Sequence, residues 1–354
     1  MENNSFAVTY TVKNEEKLLP QAMQFYLNAG CSRVYVFWDG TSDNAPSRVR
    51  GIHKLTAMES IRPESVRAAP GWINEITPMW ATNMNVRKRI NTFCAARMAK
   101  EAGIEWILSI DPDEIAVPNI LGRIERDGIR RFLASAPTDV EQILPRNLDV
   151  VPTVSRCDDP FRRCTLFLNR FPLTESIWRY SRAIARRATS RSKIIAWYDF
   201  LFYQLRFFGA LPRLMRHPET GELLPAGYFL GYSNHKSFVR TSAAEYFNFN
   251  IHKWIGAERN PVDRLSGFVL HYDLFDYEYM SQKFRQRSQT VESNDQYCRH
   301  MMARIARELS DERVEEFFNK YIVISDVNTI HELAYKGIVL EIRSVSEFFE
   351  NMSD

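Results

Sequence analysis

Apolar residues along the first third of the chain alternate between two rhythms. Phe6-Ala7-Val8-Thr9-Tyr10-Thr11-Val12 is an unbroken β-forming run and predicts a strand buried on both faces. Asn14 follows at a helix N-cap position, with Glu15 and Glu16 in a first turn where negative charge is favoured. From Leu18 to Asn28 the apolar residues recur at helical spacing, and Ala29-Gly30 ends the segment. Arg33–Trp38 predicts a second strand that stops at the turn cluster Asp39-Gly40-Thr41-Ser42-Asp43. A long helix is predicted over residues 83–102 and is closed by Gly103. Ile104–Ile110 reads as a third strand and runs into Asp111-Pro112-Asp113-Glu114; Ile143-Leu144-Pro145 reads as a short further one. This β-α-β-α-β order predicts an α/β fold with a doubly wound, mostly parallel sheet. Ligands of such sheets sit beyond the carboxyl ends of the strands. Asn14, Asp39 and Asp111 each fall just past a strand end, so three polar clusters are expected at one crevice.

Beyond residue 150 the rhythm is less regular. Ser237-Phe238-Val239-Arg240 and Gly267-Phe268-Val269-Leu270 are short β-like runs, and 276–320 reads as one or two surface helices with Glu, Lys and Arg outward. The tail, 321–354, combines a short strand-like run with an amphipathic helix. Neither an internal repeat nor a low-complexity linker is present. The expected organisation is one domain over 1–280, with a nucleotide-binding half at about 1–120 and an acceptor half at about 121–280, followed by a helical extension over 281–354.

Composition narrows the classes. With 354 residues, 45% of them hydrophobic, the chain can bury a substantial core. Charged residues at 25% and aromatics at 13% exclude a disordered or fibrous protein. A net charge of +3 is too small for a global grip on nucleic acid. Five cysteines, with no Cys-x-x-Cys, argue against a disulfide scaffold and for a reducing, cytoplasmic setting. The first residues, Met-Glu-Asn-Asn-Ser, lack the features of a secretory signal, and no apolar window is long enough to span a bilayer.

The charge is uneven. Residues 178–217 hold nine Arg or Lys against one acid, Asp199, interleaved with Trp197, Tyr198, Phe200, Phe202, Tyr203, Phe207 and Phe208. Cations beside amphipathic aromatics suit an anionic membrane interface. The expectation is an in-plane helix that brings the protein to a lipid-linked partner at the inner membrane face; a core helix with a solvated basic start is the plainer alternative.

Three clusters carry candidate chemistry. In Trp106-Ile107-Leu108-Ser109-Ile110-Asp111-Pro112-Asp113-Glu114 a hydrophobic strand delivers three carboxylates within four residues. They repel one another unless something positive sits among them. A hard divalent cation such as Mg²⁺ or Mn²⁺ suits such oxygen ligands and bridges to a diphosphate; an acidic turn before a helix cap is the alternative. Asn14-Glu15, at a strand-to-helix junction, either contacts the base or ribose of a nucleotide or simply caps a helix. Asp39 either accepts hydrogen bonds from a ribose or base, or closes a tight turn.

In these residues the sequence resembles nucleotide-sugar glycosyltransferases of the GT-A fold, closest to the family 2-like and family 92-like branch. The matching pieces are Val12-Lys13-Asn14-Glu15, then Gly30 through Asp43, then Trp106 through Glu114, with a later Lys236 to Arg240 and His271-Tyr272. The clear part covers about residues 5–120. The resemblance implies a donor site of Asn14, Glu15, Asp39, Asp111 and Lys236, with one of Arg87, Lys88 and Arg89 reaching the donor; Arg89 is taken here, a solvated helix face being the alternative. It implies a Mn²⁺ or Mg²⁺ site of Asp111, Asp113 and His271. It also implies transfer from a nucleotide-diphosphate sugar, of UDP type, to a glycan or lipid-linked acceptor with inversion. Inversion requires a carboxylate base. Asp158 and Asp159 lie in the right stretch for it, where a plain charged loop is the alternative. Two rivals use the same features: a nucleotidyltransferase-like enzyme, and a catalytically silent sugar- or membrane-binding protein on the same fold. The first lacks its usual Gly-rich N-terminal loop here, and the intact Asp111-x-Asp113 weighs against the second.

Overall fold

The structure, a computed structural model, describes residues 5–169, 184, 215–224, 236–256, 267–287 and 297–352. The chain forms two compact units, one from 1–147, 234–271 and 347–354, the other from 148–233 and 272–346. The boundary read at residue 280 falls inside the helix Tyr277–Arg287. Most of the basic aromatic stretch 178–217 lies outside the described residues. No helix among the described residues is long and apolar enough to cross a membrane.

The first unit is α/β, and its sheet is mostly parallel. Strands β1 (Phe6–Val12), β2 (Arg33–Trp38), β3 (Leu55–Glu59) and β4 (Trp106–Ser109) run parallel. Strand β5 (Glu114–Val117) leaves this sheet. Strands β6 (Gln142–Ile143) and β7 (Ser237–Arg240) complete it in the order β3-β2-β1-β4-β7-β6, with β7 antiparallel to both neighbours. Strand β8 (Phe268–His271) pairs antiparallel with β5. The predicted strands at 6–12, 33–38 and 104–110 are therefore present and adjacent. The hydrophobic pattern misses β3, because Leu-Thr-Ala-Met-Glu lies at the sheet edge, half-buried or exposed throughout, and shows no alternation.

Two helices frame this sheet. Helix α1 (Leu19–Asn28) opens at Leu19, with Pro20 in the first turn where a missing N–H costs nothing. Asn14 is therefore not its cap. Helix α2 (Met84–Glu101) is capped by Asn83, whose side chain accepts from the Asn85 N–H at 2.9 Å. It ends at Gly103, whose φ of +72° lets the Ile104 N–H turn back onto the Ala99 carbonyl. One face of α2, with Val86, Ile90, Phe93 and Ala96, packs against Ala7, Phe37, Ile107 and Val239 of the sheet.

The second unit has its own core. Helices Tyr277–Arg287, Asp311–Tyr321 and Val327–Tyr335 gather Met280, Phe284, Val314, Phe317, Phe318 and Leu333 into one apolar cluster. The helices expected at the surface over 276–320 thus bury an inner face. Ser310 and Asp326 stand at helix starts, and Asp326 accepts from the Thr329 N–H at 2.8 Å.

Leu108 is fully buried at the centre of the sheet, flanked by Val8 on β1 and Phe238 on β7. Leu108→Ala is expected to cost about 2–5 kcal/mol, the loss for a core leucine whose site cannot collapse. Urea unfolding measures it, and a loss near zero would contradict the central position of β4.

Candidate functional site

The carboxyl ends of β1, β2 and β4 lie side by side, which places the three polar clusters along one sheet edge of the first unit. The first two are stitched together. Asn14 sits at φ +57°, a left-handed conformation that asparagine tolerates better than most residues. Its side-chain carbonyl accepts from the Ser42 N–H at 2.8 Å and from the Ser42 hydroxyl at 3.2 Å. The Glu16 N–H donates to Asp43 at 2.8 Å, and the Asn44 N–H donates back to Glu16 at 3.0 Å. Glu15 supplies the carbonyl on which α1 starts, accepting from the Leu19 N–H. Asn14 thus orders the turn after β2.

Asp39 is buried at the end of β2. Its carboxylate takes a two-pronged contact from Arg87, with Nη2 at 3.0 Å, and a hydrogen bond from the Ser60 hydroxyl at 3.0 Å. The next residue of α2, Lys88, reaches Asp111. One turn on, Asn91 donates to Thr11 and Ser60 at 3.1 Å each. A polar face of α2 is therefore buried against the strand ends. Arg89 points away from it, with Nε on the Phe249 carbonyl and its guanidinium 5.1 Å from the Trp72 ring centre. Of the three basic residues opening the helix, Arg87 and Lys88 face the strand ends, and Arg89 does not.

The acidic tip after β4 gets its positive charge from lysines. Ser237 pairs with Ser109 in the antiparallel register, so Lys236 stands beside the tip. Its ammonium is 2.6 Å from Asp111 and 2.9 Å from Glu114. Asp111 thus lies between Lys88 and Lys236. Burial opposes its charge, but the two ammonium groups override that and hold its carboxyl well below the usual range. Burial pushes Glu114 up, against the pull of Lys236, and burial lowers Lys88 against the pull of Asp111. A dication on Asp111 would have to compete with two ammonium groups already on its oxygens.

The antiparallel register of β5 and β8 sets His271 opposite Glu114. Gly267, at φ +66°, leads into β8 where a Cβ would come within 3.0 Å of the Val117 carbonyl oxygen. His271 Nε2 is 3.5 Å from Asp113, and both side chains are buried. Asp273, two residues along the chain from His271, adds an oxygen, and the three ligand atoms lie within 4.8 Å of one another. Two carboxylates and one imidazole form a donor set of the kind a divalent cation takes, with the Lys283 ammonium already paired to one oxygen of Asp273. The structure groups Asp113 and His271 with Asp273, and Asp111 stands outside this group between its two lysines.

Over most of its length the chain is similar to two plant proteins named glycosyltransferase-like. "Glycosyltransferase-like At2g41451" of Arabidopsis thaliana is 24% identical over 357 aligned positions, which cover 94% of this chain and 69% of that protein. "Glycosyltransferase-like At3g57200" of the same plant is 22% identical, covering 94% of this chain and 60% of that protein. No family model matches the chain. The likeness supports a glycosyltransferase family, and a mixed α/β fold with a mostly parallel sheet is compatible with it.

In the second unit, Asp159 caps the turn Pro160–Arg163, accepting from the Arg162 N–H at 3.3 Å and pairing with its guanidinium at 2.6 Å. Asp158 is exposed beside it. Sequence reading names Arg87 and Lys88 only as alternatives to Arg89, and it passes over Asp273. The last has a usable signal, an acid two residues beyond a strand-end histidine.

The Arg87–Asp39 pair is nearly water-free, with 18% and 2% of the side chains exposed. Arg87→Met alone is expected to cost about 3–5 kcal/mol, because it strands a buried carboxylate. Adding Asp39→Asn should restore part of the loss. A double-mutant cycle by urea unfolding checks this, and strictly additive losses would contradict the pairing.

Proposed function

We propose that the chain is a metal-dependent glycosyltransferase of the GT-A type. It moves a sugar from a nucleotide-diphosphate donor, of UDP type, to a hydroxyl of a glycan or lipid-linked acceptor, with inversion at the anomeric carbon. The observation that carries this reading is the buried trio Asp113, His271 and Asp273 beside a parallel-sheet edge. The likeness to two glycosyltransferase-like proteins supports the transferase class.

Asp113, His271 and Asp273 would hold Mn²⁺ or Mg²⁺. Such an ion stabilises the negative charge that develops on a departing nucleoside diphosphate. The chain's own residues do the rest. Lys88 and Lys236 present two ammonium groups on Asp111, two residues before Asp113, and a diphosphate would gain from them what Asp111 gains now. Asn14 and Ser42 hold the turn after β2 against the end of β1, next to Asp39, where the nucleoside belongs. Arg87 fixes the Asp39 carboxylate by two hydrogen bonds, so only its remaining acceptor capacity faces a ligand. Asp159 spends its oxygens on capping and on Arg162, which leaves the exposed Asp158 as the better candidate for the acceptor-side base.

Titration calorimetry with UDP tests this reading. Binding in Mn²⁺ should weaken by about 10–100-fold or more in Asp113→Asn, the range for loss of a metal-site interaction. A circular-dichroism melt of the variant confirms that it folds. UDP affinity that is the same in Mn²⁺ and in chelator would overturn the metal dependence. A screen of nucleotide sugars for donor hydrolysis then identifies the sugar.

A further inference from the structure

The second unit holds a pair of thiols that glycosyl transfer does not use. Cys157 and Cys164 flank the helical turn Pro160–Arg163, and their sulfur atoms lie 3.7 Å apart. That is van der Waals contact, and a disulfide needs about 2.0 Å, so the two sulfurs have to move together for a bond to form. The backbone is already held at both ends. The Cys157 N–H donates to Asp276 at 2.9 Å, and the other oxygen of Asp276 accepts from the Tyr279 N–H at 2.9 Å. The Cys164 N–H donates to the Pro160 carbonyl at 2.9 Å. Phe161 between them is buried edge-on against Tyr272, with ring centres 4.8 Å apart. Cys157 is buried and Cys164 is half-buried, so a reagent from solution meets Cys164 first. Cys31, in the first unit, contrasts with them: its sulfur contacts backbone carbonyls and not a second thiol.

We propose that Cys157 and Cys164 form a redox pair that closes to an intramolecular disulfide on exposure to a low-molecular-weight disulfide such as glutathione disulfide. The Cys164 thiolate attacks one sulfur of that disulfide, giving a mixed disulfide and releasing one glutathione thiolate. The Cys157 thiolate then attacks the Cys164 sulfur, forming the internal bond and expelling the second glutathione. Two protons leave the protein thiols, the protein loses two electrons, and the external disulfide gains them. The hydrogen bond to Cys157, together with burial, pushes the Cys164 thiol up. Thiolate is then scarce at neutral pH and the first attack is slow, quickening about tenfold per pH unit. The closed bond staples the segment that carries Asp158 and Asp159.

The test uses the full folded chain, incubated with glutathione disulfide, then alkylated and digested with trypsin without reduction. The expected product is the peptide from Cys157 to Arg162 joined to the peptide from Cys164 to Arg170, two hydrogens lighter than their sum. Its formation should raise the unfolding midpoint by about 5 °C. In Cys157→Ser, Cys164 should stop at a stable glutathione adduct, whereas Cys31→Ser should leave the joined peptide unchanged. A lasting glutathione adduct on Cys164 of the unaltered chain, or two thiols that stay fully alkylatable after long exposure, would overturn the proposal.

Discussion

One ammonium group, that of Lys236, decides what the acidic edge of the first unit can be. Asp113 and Glu114 are almost fully buried, and removing an ion from water costs several kcal/mol even after relaxation. That cost is offset only where opposite charge sits within contact distance. Lys236, with 1% of its side chain exposed, bridges Asp111 and Glu114. It is there because β7 pairs antiparallel with β4, in the register that sets Ser237 against Ser109. The late strand therefore does more than widen the sheet. It makes a cluster of carboxylates compatible with a folded interior, and it leaves Asp113 turned toward His271.

Much of the fold is legible in the residue pattern. The three strands with continuous β-branched or aromatic runs, and the two long helices between them, stand where periodicity puts them. What escapes is what periodicity cannot encode. Strand β3 lies at an edge and carries no alternation. Strand β5 begins at Glu114, an acid that reads as part of a turn, and it is a strand only because β8 arrives from far downstream to pair with it. The two-unit division cuts across the chain because 148–233 and 272–346 pack together, which no local window reveals.

The site was legible to a similar depth. Asp39, Asp111, Asp113, Lys236 and His271 are all marked by their place at strand ends. Their partners are not, because the pairing is long-range: Lys88 meets Asp111 from near the start of a helix, and nothing in its own neighbourhood distinguishes it from Arg89. Sequence reasoning correctly finds that three carboxylates need compensation and supplies a metal for all of it. The structure divides the task, with lysines on Asp111, Glu114 and Asp273 and an imidazole beside Asp113. Asn14 does not cap the helix, and its side chain ties its own turn to the one after β2.

The last helix, Ser344–Glu350, carries Phe348 and Phe349 onto Phe25 of α1, with ring centres 5.0 and 6.1 Å away. Phe25 leaves the ribosome early and these two phenylalanines emerge more than three hundred residues later. Until then the Phe25 ring lacks these two aromatic partners. At typical synthesis speeds of about 5–20 residues per second, that interval is tens of seconds or longer. A nascent chain in that condition is a natural client for chaperones that shield exposed aromatic side chains.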